Sequence, residues 1–170
     1  YKTNKGHIEI PTIKFKGNIS PSKVTPYDIR CFSSILKHFI HPLFLESTFY
    51  GTSTGITVKR LSIRSTNGTI YLHANGSLKG WNQSPKWHTT IDNLHLSANG
   101  IQFIFDQLGT HFRIPKEVTR LGSINFKGNI GGYRQDVALK GTFRTDAGNA
   151  DIRLRKHSLQ FAGHIESRDI

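Results

Sequence analysis

Three groups of residues in this sequence have types and spacing that could do chemistry. His38 and His41 stand three apart, with Cys31 seven residues before His38, a spacing that one helical face could use to hold a metal. A zinc site needs a third or fourth ligand and a preorganised outer shell, and no local motif supplies either, so solvated histidines are the plainer reading. Gly51-Thr52-Ser53-Thr54-Gly55 fits the glycine-serine-glycine pattern of a hydrolase nucleophile elbow. That elbow requires a strand before it and a helix after it. Ile56-Thr57-Val58 instead continues as strand-like text, so a polar glycine-rich hairpin turn is expected. His73, His88, His95 and His164 fall singly inside strands. No constellation pairs a nucleophile with a base, so a non-enzymatic chain without cofactor or metal is expected.

Cys31 is the sole cysteine, which precludes an intrachain disulfide framework and any multi-cysteine cluster. The N-x-S/T sequons at Asn18, Asn67, Asn75 and Asn82 are short patterns common in β-rich text and carry no weight.

The third group is basic. Lys and Arg number 23 against 11 Asp and Glu, a net charge of +12 that favours nucleic acid, anionic lipid headgroups or acidic polysaccharide. Lys127, Lys140, Arg144, Arg153 and Arg155 all have parity opposite to their apolar neighbours, which makes them a candidate basic outer face. A sheet that binds nucleic acid adds exposed aromatics on which bases stack. Phe126, Phe143 and Phe161 instead share parity with the aliphatic residues. No nucleic acid partner is therefore expected, although a nucleic-acid-binding basic β-domain stays as an alternative.

The elements that must position these residues are strands. Period-two alternation puts Ile13, Phe15 and Ile19 on one face around Gly17, and Ile124, Phe126 and Ile130 on one face around Gly128. Val137, Leu139 and Phe143 follow, then Ile152 and Leu154, then Leu159, Phe161 and Ile165, a four-strand antiparallel meander. Turns are expected at Asn67-Gly68, Gly131-Gly132, Asp146 to Asn149 and Lys156-His157. Parity slips from Val58 to Leu61 and from Ile91 to Leu94, which predicts bulges that bend the sheet. Residues 26–40 repeat Ile29, Phe32, Ile35, Leu36 and Phe39 at helical spacing behind Pro26 and Asp28, which predicts one short helix ended by Pro42. A second short helical turn fits Ile104 to Leu108, ahead of the Gly109 break, with a strand as the alternative.

The segment Ile13 to Ile19 matches Ile124 to Ile130 at six of seven positions, as expected of a quasi-repeating sheet. Hydrophobic residues make up only 36% of the chain, which suits a thin architecture better than a dense globule. No apolar run approaches the ~18–20 residues that cross a bilayer. The fold expected is mainly β: a curved, extended antiparallel sheet forming a groove, with the helix near 26–40. A closed β-sandwich is the alternative. Residues 1–170 read as a single β-rich segment of a larger protein, divisible into sub-units 1–110 and 111–170.

The stretch Ile114 to Leu154 resembles segments of the TamB/AsmA-like family from Bacteroidetes-type bacteria. Leu121-Gly122, Ile124, Phe126, Gly128, Ile130 and Gly132 occupy one family strand, and Gly141, Phe143, Thr145 and Gly148 its hairpin. The Asp28 segment, Gly51, Leu61-Ser62-Ile63 and Gly68-Thr69 are similar too, so the resemblance covers about three-quarters of the chain. It implies a periplasmic scaffold of a Gram-negative bacterium, anchored in the inner membrane through parts outside this sequence. The function it implies is passing phospholipid between inner and outer membranes, or aiding outer-membrane protein assembly. A TamA-like or lipoprotein partner would be engaged by regions beyond these residues. Phe126, Ile130, Leu139, Phe143, Ile152, Leu154, Leu159 and Phe161, which share parity, are the candidate groove lining for acyl chains. Open sheet edges would permit self-association. A structural or adhesion β-sandwich domain is the alternative role.

Overall fold

In a computed structural model the described residues are 13–31, 34–81, 84–107, 120–134, 136–158 and 160–167. They form one nine-stranded antiparallel sheet in which each strand pairs with its sequence neighbours, in the order β1 to β9. The strands are β1 (Lys14–Val24), β2 (Leu43–Thr52), β3 (Gly55–Ser65), β4 (Ile70–Lys79) and β5 (Lys86–Leu96), then β6 (Ile124–Tyr133), β7 (Asp136–Thr145), β8 (Gly148–His157) and β9 (Gln160–Ser167). The sheet is a meander that does not close into a barrel, and β1 and β9 are its edges. The closed sandwich is therefore not what these strands make. β5 pairs β6 from Lys86↔Tyr133 to Leu96↔Ile124, so the strands up to Leu96 and those from Ile124 belong to one sheet.

Both expected bulges are present: the register shifts between Val58 and Leu61 on β3 and between Ile91 and Leu94 on β5. A third lies on β1 between Ile19 and Ser22, where Pro21 cannot donate to the ladder. Extra residues thus fall on alternate strands of the N-terminal half and bend it. β6, β7 and β8 pair without a shift.

Three local expectations are corrected. The segment 26–40 is not one helix but two 3-10 helices, Pro26–Ile29 and Ser34–His38. The Tyr27 N–H donates to the Phe39 carbonyl at 3.0 Å, folding the segment back on itself, which a straight helix over these residues could not do. An α-helix, α1 (Ala98–Gln107), covers the described part of the turn expected near Ile104 and starts earlier, where the Ser97 hydroxyl caps the Gly100 N–H at 3.1 Å. Gly131 and Gly132 lie within β6, and Arg134 with φ 53° takes the turn. Gly132 serves close packing: a Cβ there would stand 2.6 Å from Trp87 Nε1. Lys156 and His157 likewise belong to β8, and the chain reverses at Ser158 with φ 53°. The Ile13 and Ile124 echo is not a translational repeat, because five antiparallel pairings separate β1 from β6 and the two run in opposite directions.

Candidate functional site

Register across the ladder sorts the side chains into two faces. Phe126 pairs with Leu94 and Phe143, Ile130 with Leu139, and Leu139 with Leu154. Ile152 pairs with Gly141 and Ile165, and Phe161 with Lys156. The candidate lining residues Phe126, Ile130, Leu139, Phe143, Ile152, Leu154 and Phe161 therefore share one face, while Leu159 lies outside the described residues. The same face runs on through Leu96, Ile70, Leu72, Ile63 and Leu45 to Val24 on β1. One apolar surface spans all nine strands.

Little covers it. Among the described residues only Ile70, Ala74, Ile101 and Phe126 are buried hydrophobics. Leu154 is 44% exposed, Ile165 64% and Phe161 79%, so the face is open towards β9. A sheet with an uncovered apolar face is an incomplete architecture in water and calls for a ligand or partner on that face. Among the described residues α1 gives local cover. Ser97 N–H donates to the Thr69 carbonyl at 3.0 Å, and a Cβ on Gly100 would stand 3.3 Å from Ile70 Cγ1, so the helix backbone rests on that end of the face. Phe103 of α1 also meets the His41 ring, with centroids 5.4 Å apart.

Large side chains lie across glycines on the adjoining strand. The Phe49 ring occupies the space above Gly17, and Phe126 that above Gly141, where a Cβ would meet Phe126 Cζ at 2.5 Å. Leu154 lies over Gly163 in the same way, at 2.5 Å from Cδ2. Such cross-strand cover shields glycine backbone and keeps the surface apolar.

An apolar recess also lies away from the C-terminal strands. A depression of about 190 Å³ lies on β3, β4 and β5, floored by Ala74 and Gly76 and walled by Ile56, Val58, Leu61, Leu78 and Trp87. Small residues on β4 between bulkier neighbours create it: Gly76 pairs with Val58 and Thr89, Ala74 with Leu61 and Ile91. The alternation of Ile70, Leu72, Ala74 and Leu78 carried that signal in the sequence, together with the flanking bulges.

The opposite face is polar and basic. Lys140 pairs with Arg153, Lys127 with Thr142, Arg144 with Asn125 and Arg155 with Ala138, so all five candidate outer-face cations stand together on it. Aromatics also occur there in the N-terminal half, which parity in the C-terminal strands did not reveal. Arg64 lies 5.1 Å from the Phe44 ring centroid and Lys59 Nζ 5.3 Å from that of Tyr50. Cross-strand polar pairs hold this face, with Thr48 donating to Asn18 at 2.9 Å and Thr90 to Asn129 at 2.9 Å.

Gly51 to Gly55 forms the turn of the β2 and β3 hairpin, and Ser53 is followed by a strand rather than the helix of a nucleophile elbow. Cys31 is exposed. Asp146 pins the β7 and β8 turn to the start of β6: its carboxylate accepts from the Ser123 hydroxyl at 2.7 Å and the Ser123 N–H at 3.0 Å. These bonds hold its carboxyl below the usual carboxylate range, the hydroxyl contributing most, then the N–H, with His95 adding a smaller charge effect and partial desolvation opposing.

Comparison with known proteins returns no matching family model, no matching curated protein and no matching solved structure. Fold and surface chemistry define the class: an open antiparallel sheet with one apolar and one basic face.

Proposed function

We propose that this chain is a non-enzymatic scaffold segment whose apolar face carries phospholipid acyl chains in a bacterial cell envelope. The observation that carries the reading is the continuity of the apolar face over nine strands, with Leu154, Phe161 and Ile165 exposed towards its β9 edge. Each methylene that moves from water onto such a surface gains up to ~0.8 kcal/mol. A row of similar side chains offers a chain many equivalent positions, so transfer proceeds in small steps rather than one large release. Phe126, Ile130, Leu139, Phe143, Ile152, Leu154 and Phe161 belong to this proposed lining, and Ile56, Val58, Leu78 and Trp87 join it.

The resemblance to TamB/AsmA-like segments supports a periplasmic setting, with the full-length protein held in the inner membrane and working in lipid passage or outer-membrane protein assembly. A TamA-like or lipoprotein partner would bind through other regions, and the open edges β1 and β9 offer a surface for self-association. The test is native mass spectrometry of the purified chain with analysis of its organic extract. Stoichiometric co-purified phospholipid, lost in a folded Leu154→Glu/Ile165→Glu variant, supports the reading; a folded, lipid-free wild-type chain counts against it.

A further inference from the structure

We propose that the polar face carries a phosphate-binding depression formed by Lys140, Arg153 and Arg155, a site independent of the apolar-face reading. The depression holds about 240 Å³ between β6, β7 and β8. Its floor is made of small residues, Gly131 and Ala138, which pair in register. Its rim is cationic. Lys140 and Arg153 are direct cross-strand partners, which places their Cβ atoms roughly 4.5–5.5 Å apart. Arg155 follows two residues along β8 on the same face, about 7 Å on, opposite the short Ala138 side chain.

Like charges directly opposite each other on a sheet repel. Neither ion pair among the described residues, Arg60 with Glu46 or His157 with Asp136, involves these three cations. Asp151, the carboxylate two residues before Arg153, accepts the Thr142 hydroxyl at 2.6 Å. At the rim Asn129 accepts from Thr90 through Oδ1 at 2.9 Å, so its Nδ2 hydrogens are left to donate. Two guanidinium side chains, one ammonium and one amide thus line a single depression on one face. Guanidinium geometry matches the paired oxygens of a phosphoryl group, and the ammonium adds a point charge. A neighbouring depression on the same face contains Lys127, Arg144 and Asp92, and Arg155 also lines a depression with Asp136, whose carboxylate is engaged by His157.

The shared ligand chemistry is a phosphoryl group, borne either by a soluble molecule or by a lipid headgroup at a bilayer surface. Isothermal titration with inorganic pyrophosphate and sedimentation with phosphatidylcholine vesicles containing phosphatidylglycerol distinguish the two sources. Arg153→Gln/Arg155→Gln is compared with Lys127→Gln/Arg144→Gln, which removes the same charge from the same face. The first pair should weaken binding about tenfold or more, and the second only slightly. Pyrophosphate binding alone assigns a soluble ligand, whereas vesicle binding lost in Arg153→Gln/Arg155→Gln assigns a headgroup. Equal losses in the two variants, binding of neither probe by the wild-type chain, or binding only of a single-stranded oligonucleotide would overturn the site.

Discussion

Phe126 on β6 and Phe143 on β7 stand directly opposite one another, their ring centroids 4.6 Å apart and their planes inclined at 42°. Phe126 is 3% exposed, with Phe143 and Leu94 as its cross-strand partners and the Gly128 and Gly141 pair beside its ring. The pair is thus a local core on this face. Phe126→Ala should cost about 3–5 kcal/mol, and Phe143→Ala less, since Phe143 is only half-buried. Urea denaturation of both single variants and the double should show a coupling of about 0.5–1.5 kcal/mol. Strict additivity would mean that the rings do not support each other.

Gly141 tests the glycine cover. A Cβ there would meet the Phe126 ring and stand 2.5 Å from the Lys127 carbonyl oxygen, which belongs to backbone and cannot swing away. Gly141→Ala should therefore destabilise the sheet by about 1–3 kcal/mol. Unchanged stability would show that β6 and β7 are further apart than this packing requires.

Asp146 makes stability depend on acid. Its carboxyl titrates below its ordinary value in the folded chain because Ser123 hydrogen-bonds to the ionised form. A folded pKa below the unfolded value of about 3.9 means that the contribution is fully present above that pH and is lost as pH falls through the folded pKa. Asp146→Asn should remove this part of the acid dependence while changing little in the slope above pH ~5. Identical acid limbs for the two proteins would show that the bonds to Ser123 are absent in solution.

Ser97 holds the cap of α1. Ser97→Ala removes the hydroxyl that accepts the Gly100 N–H and should cost about 1 kcal/mol. Hydrogen exchange should quicken first at Ile101, whose N–H bonds the Ser97 carbonyl at 3.0 Å, before strand amides respond.

What the sequence disclosed and what it concealed divide along physical lines. Alternation is a backbone property of strands, so the shared face of Phe126, Leu139 and Leu154 was legible, as were the bulges marked by parity slips at Val58 and Ile91. Glycine is ambiguous, because turn and close packing both favour it. Gly131-Gly132 resembled a turn, yet Gly132 makes room for the indole of Trp87 one strand away, a contact between residues far apart in sequence. Residues 26–40 had helical spacing, but the long-range bond from Tyr27 to Phe39 decides their path. The apolar recess at Ala74 and Gly76 depends on which strands flank β4, and only the pairing order supplies that.

Trp87 lines that recess, and the other tryptophan, Trp81, donates its indole N–H to the Ser53 carbonyl at 2.8 Å in the β2 and β3 turn region. In a Trp81→Phe background Trp87 is therefore the single indole reporter of the apolar face. The most direct measurement is its fluorescence as phospholipid brominated on the acyl chain is added below its vesicle-forming concentration. Saturable quenching, weakened by Val58→Glu in a still-folded chain, is the predicted result. A folded chain whose Trp87 is untouched by brominated acyl chains would contradict the lipid-carrying account.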